Sequence, residues 1–84
     1  MEVVFDLLTI IKSKNNTIKP TPLLRFSNLS SQSFNSYFKE LQKKEFVREE
    51  TDAKGRKYIT LTDKGFRFLE KYQQLIGLID EFDL

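Results

Sequence analysis

The chain has 84 residues, of which 39% are hydrophobic and 31% charged, and carries a net charge of +2. A chain this short forms one domain and buries only about 60–65% of its unfolded surface, so the eight Phe and three Tyr must supply much of the core. It contains no cysteine and no histidine, which excludes disulfides and thiolate chemistry, removes the commonest general base, and leaves zinc without its preferred ligands.

The opening MEVVFDLLTIIKSK is apolar but is interrupted by Asp6, and it has neither a positive n-region nor a small-residue cleavage site. A cytoplasmic chain without a signal peptide is expected. No stretch approaches the roughly 18 apolar residues of a membrane span. Charge is unevenly placed: residues 1–20 carry +1, residues 21–64 carry +3 and residues 65–84 carry −2. A basic middle permits a nucleic-acid partner without demanding one.

Val4, Leu7, Leu8 and Ile11 recur at i, i+3, i+4, i+7, one face of a helix that should end near Lys14, before the breaker pair Asn15-Asn16. Thr17-Ile18-Lys19 reads as a short strand. Thr21 as N-cap and Pro22 at the first helical position open a helix of about two turns. Asn28-Leu29 makes a turn, and Ser30 or Ser31 caps a third helix. In that helix Phe34, Tyr37, Phe38 and Leu41 repeat the helical spacing, and Leu29 is placed to staple onto Phe34. Residues 46–51 and 57–61 alternate as strands around Asp52-Ala53-Lys54-Gly55-Arg56, a hairpin signal. Thr62 then caps a last helix reaching about Phe82, with Asp63 in its positive first turn. Gly65 and Gly77 each cost that helix about 1 kcal/mol against Ala.

Two helices joined by a tight turn, followed by a two-stranded hairpin, make an α+β winged helix-turn-helix, here with a long C-terminal helix. The hairpin tip is the wing. NLSSQSFNSYFKELQKKEFV and KYITLTDKGFRFLEKY also resemble the small archaeal winged-helix proteins regarded as transcriptional regulators. The shared features are Leu29-Ser30 opening the recognition helix, Tyr37-Phe38-x-x-Leu41 in its core, and Tyr58-x-x-Leu61-Thr62-x-x-Gly65 returning from the wing, with one residue more after Tyr58 than the family's Tyr-x-Leu-Thr-x-x-Gly. Glu45 stands where that family usually ends the helix with glycine, so its left-handed cap must be replaced or strained. A related branch, the crenarchaeal chromatin proteins, dimerises through a long C-terminal coiled coil, and the resemblance implies double-stranded DNA as partner.

At about 100° per residue, the face of the third helix opposite Phe34, Phe38 and Leu41 holds Gln32, Ser36, Lys39 and Lys43, flanked by Asn35. Gln and Asn suit adenine edges, and Lys suits phosphate or guanine. Ser31 and Ser33 lie at the end that enters the groove. Lys54, Arg56 and Lys57 crowd Gly55 at the wing tip, and Arg25 and Lys19 flank the helix before the turn. The same polar face would also suit plain solvation, and basic hairpin tips also protect edge strands. Glu49, Glu50 and Asp52 have no nucleophile beside them, so catalysis is not expected, nor any cofactor or metal. These acids should repel DNA.

Leu69, Tyr72, Ile76 and Ile79 are spaced 3, 4, 3, an a/d seam. The expected organisation is a winged-helix domain over residues 1–64 and a continuous dimerisation helix over residues 65–84, giving a homodimeric transcriptional regulator. The alternative is a protein-interaction module that uses the winged helix and the apolar tail, because fold does not decide function.

Overall fold

A computed structural model describes residues 2–84, leaving Met1 outside. The order is α1 (Glu2–Ser13), α2 (Pro20–Ser27), α3 (Ser31–Lys43), β1 (Val47–Thr51), β2 (Lys57–Leu61) and α4 (Asp63–Glu81). This is the expected winged-helix order.

The helix boundaries follow local chemistry. α2 starts two residues earlier than expected: Lys19, in extended conformation, is its N-cap, Pro20 occupies the first turn, and the Leu23 N–H donates to the Lys19 carbonyl at 3.2 Å. Proline's missing donor is harmless there. Asn28 closes α2 in the left-handed region, at φ 58°. Ser30 caps α3 by accepting from the Ser33 N–H at 3.1 Å, and Thr62 caps α4 by accepting from the Gly65 N–H at 3.0 Å.

α3 ends with its left-handed cap intact, although the residue is not glycine. Glu45 has φ 63°, its N–H donates to the Gln42 carbonyl, and the Phe46 N–H donates to the Leu41 carbonyl. These two bonds make a Schellman closure with Glu in the glycine position. The strain of order 1–2 kcal/mol is held by the neighbourhood: Thr62 Oγ1 donates to the Glu45 carbonyl and the Thr62 N–H to the Phe46 carbonyl.

β1 and β2 pair antiparallel, from Val47 opposite Leu61 to Thr51 opposite Lys57. Ile18 bridges Ile59 on the other edge of β2, so the expected short strand is a single bridge. Asn16 extends that edge with its side chain: Oδ1 accepts from the Leu61 N–H at 2.6 Å. The chain therefore runs along β2 from its base, beside Asn16, towards the wing tip at Lys19.

The core draws on every element: Leu7, Leu8 and Ile11 of α1, Leu23 of α2, Phe34, Phe38 and Leu41 of α3, Val47, Ile59 and Leu61 of the hairpin, and Leu69 of α4, with Ile18 from the segment before α2. Each such side chain contributes about 1.5–3 kcal/mol through burial. Tyr37 was expected in this set but is 36% exposed. It sits at the margin of the α3 apolar face, while Phe34, Phe38 and Leu41 fill the centre.

α4 divides in two. Its first half belongs to the domain: Gly65 and Leu69 are buried, and Tyr72 packs on Phe5 with ring centroids 4.8 Å apart and on Phe68 at 6.0 Å. Its second half extends beyond, and the molecule is 49 Å long against 26 and 22 Å across. The expected seam is therefore corrected. Leu69 is inside the core, Tyr72 is engaged by Phe5 and Phe68, and Ile76 is half-buried, so of the four only Ile79 lies on the exposed face. The exposed apolar stripe is Leu75, Leu78, Ile79 and Phe82, again at i, i+3, i+4, i+7. A division at residue 64 would fall within the first turn of α4, upstream of residues that the core requires.

Candidate nucleic-acid interface

α3 buries Phe34, Phe38 and Leu41 and turns Ser31, Gln32, Ser33, Asn35, Ser36, Lys39 and Lys43 outward, all exposed. The serine cap leaves its first turn free of acidic side chains. On one flank Gln42 Nε2 donates to Glu49 Oε1 of β1 at 3.4 Å, so Asn35 and Lys39 face the wing side and Tyr37 and Glu40 the other. Lys44 pairs with Glu40 at 4.0 Å. Lys39 and Lys43 enter no ion pair among the described residues.

The wing loop is built around Asp52. Oδ1 accepts from the backbone N–H groups of Lys54 and Arg56, both at 2.9 Å, and Oδ2 accepts from Arg56 Nε at 2.8 Å. The Asp52 N–H donates to the Arg56 carbonyl and the Gly55 N–H to the Asp52 carbonyl, each at 3.0 Å, with Gly55 at φ 78°. The bond from the Arg56 backbone N–H holds the Asp52 carboxyl below the ordinary carboxylate value. The Arg56 side chain, the Lys54 N–H and the charge of Lys19 act the same way, against partial desolvation. The bridge of Ile18 to Ile59 brings the start of α2 towards the wing loop.

Arg56 is thus partly neutralised by Asp52, while Lys54 and Lys57 remain exposed and enter no ion pair among the described residues. Arg25 and Lys19 are likewise exposed and unpaired among them. Asp52, expected only to repel DNA, is the residue that shapes the cationic loop, a role visible once the hairpin closes. A simpler signal was present in the sequence: no acidic residue lies between Asp6 and Glu40, a span holding Lys12, Lys14, Lys19, Arg25 and Lys39. From α2 as far as Lys39 of α3 the helix-turn-helix therefore carries only positive charge, which the modest net charge conceals.

Among the described residues no group of three or more side chains is placed to hold a metal ion, and no helix is long and apolar enough to cross a membrane. Arg48 and Glu50 pair with each other at 3.3 Å on β1.

An uncharacterised protein of Methanocaldococcus jannaschii, MJ0290, is 34% identical over 77 residues, covering 92% of this chain and 33% of the relative. This chain thus spans about a third of that relative's length. F93 from STIV, described as a winged-helix DNA-binding protein, superposes with a TM-score of 0.75 at 18% identity, covering 86% of this chain and 84% of F93. A MarR variant from E. coli complexed with operator DNA superposes at 0.78 with 21% identity, covering 88% of this chain and 54% of MarR. At these identities the two structures speak to fold. The sequence model of the winged helix-turn-helix family matches residues 1–80, and the chain belongs to that family.

Proposed function

We propose that the chain is a DNA-binding transcriptional regulator that docks α3 in the major groove and its wing on the sugar–phosphate backbone. The observation that carries this reading is the joint exposure, free of ion pairs among the described residues, of Lys39 and Lys43 on α3, Lys54 and Lys57 on the wing, and Lys19 and Arg25 on α2. Gln32, Asn35 and Ser36 present base-reading groups between them, with Ser31 at the leading end. The operator complex of MarR supports the reading by its shared fold. The role assigned here is docking, not catalysis, and the partner is double-stranded DNA.

The test is fluorescence anisotropy of a random-sequence duplex titrated at several salt concentrations. Four to six phosphate contacts per copy predict a log–log salt slope of about −4 to −5. Absence of binding at low salt would instead favour the protein-interaction reading.

The same reading makes the protein a homodimer joined through the outer stripe of α4, with the dimerisation segment starting near Leu75. The stripe exposes on the order of 400 Å² of apolar surface per copy, within the range of the largest apolar patch of a monomer, which often serves a function. It gives a small and therefore weak interface. Ile79→Glu places a charge in the stripe and is expected to convert dimer to monomer in sedimentation velocity at tens of micromolar protein. A retained dimer would move the interface elsewhere.

A further inference from the structure

Asp52 is the one acid in the wing loop. Simple electrostatics makes it an impediment beside a polyanion, yet its carboxylate takes three of the loop's donors: the N–H groups of Lys54 and Arg56 and the Nε–H of Arg56. Below the tip, Lys57 is held by its pairing with Thr51. Ala53 to Lys57 are all exposed, and among the described residues the loop itself is otherwise closed by two backbone bonds. Gly55, in the left-handed region, is the residue most free to change conformation if the brace is lost. Lys54 and Lys57 flank this brace.

We propose that Asp52 is a positioning residue for DNA binding: by bracing the wing loop it presents Lys54 and Lys57 to phosphate, so that removing this acid weakens binding to DNA. This rests on the docking reading above. Its sign is opposite to the Coulomb expectation, under which deleting a negative charge beside the duplex strengthens binding. Bracing prevails because an unbraced loop must be ordered each time it meets DNA, and that conformational entropy is lost from affinity.

The experiment compares the full chain with D52A, D52N, K54A/K57A and D52A/K54A/K57A on a random-sequence duplex at three salt concentrations, with thermal unfolding of each. D52A is expected to melt within a few degrees of the parent, to bind about tenfold more weakly, and to lose up to two units of salt slope as both lysines disengage. D52N retains an oxygen for the two backbone donors and is expected to bind within about threefold of the parent. Adding D52A to K54A/K57A should change nothing further, which a general loss of structure would not reproduce. D52A that binds as well as the parent or better would overturn the proposal, as would a full additional loss in the K54A/K57A background. A parent chain that binds no duplex at low salt would overturn the docking reading and this proposal with it.

Discussion

Gly65→Ala is expected to lower the melting temperature by about 15–20 °C. Helix propensity alone predicts the opposite, a gain of about 1 kcal/mol in the first turn of α4. Packing reverses the sign. A Cβ on Gly65 would be driven into the Phe46 carbonyl oxygen, with the Phe46 carbonyl carbon only 3.1 Å away. Both atoms are backbone and cannot rotate aside. They are pinned: the Phe46 carbonyl accepts from the Thr62 N–H at 3.1 Å, and the Phe46 N–H closes the cap of α3 at 2.9 Å. Relief requires moving α4 away from the end of α3, opening the core around Leu41 and Leu69. Overpacking of this kind costs about 3 kcal/mol, against a total stability of about 5 kcal/mol at the low end of small domains, and each kilocalorie is worth about 4–8 °C at this size. Gly77→Ala is the control. Nothing lies within 4 Å of the position, so the propensity gain of about 1 kcal/mol should appear there undiminished. Thermal unfolding by circular dichroism reads both. A Gly65→Ala protein as stable as the parent would mean that α4 does not seat on Phe46.

Lys39→Ala combined with Lys43→Ala is expected to reduce duplex affinity by about 10–100-fold at moderate salt and to flatten the salt slope by about two units, with the melting temperature unchanged. Both side chains are exposed on the outer face of α3, make no ion pair among the described residues, and lie one helical turn apart. Their removal leaves Phe34, Phe38 and Leu41 in place and so spares the fold. A matched pair on the other flank, Glu40→Ala with Lys44→Ala, removes an exposed ion pair at 4.0 Å, which contributes little to stability, and should leave affinity nearly unaltered. Anisotropy titrations of both double variants at several salt concentrations separate the faces. Equal affinity for parent and Lys39/Lys43 variant would remove α3 from the interface.

Much of this protein was determined by the sequence alone, because the signals are local. Ser30 and Thr62 announce the helices they cap by their own hydrogen bonds three residues ahead. Asp52 to Arg56 announces the hairpin, and helical periodicity announces α1, α3 and α4, so the element order and the outward face of α3 could be read before any packing was known. The tertiary structure decided what covers each apolar face and what each neighbour does. Periodicity marks Leu69, Tyr72, Leu75, Leu78 and Ile79 alike as apolar. Only the position of α1 and the hairpin puts Leu69 inside and Tyr72 on Phe5, leaving Leu75, Leu78, Ile79 and Phe82 uncovered. Tyr37 shares the spacing of Phe34 and Phe38 yet stays at the rim, since the core has room for the centre of the helix face. Gly65 changes from a propensity cost to a packing requirement through a contact with Phe46, nineteen positions away in the chain. Asp52 changes from a repelling charge to the brace of the wing, because the closed hairpin brings three donors to one carboxylate. Propensities, caps and turns are written within a few residues, whereas burial, close approach and charge pairing depend on residues that only the folded chain brings together.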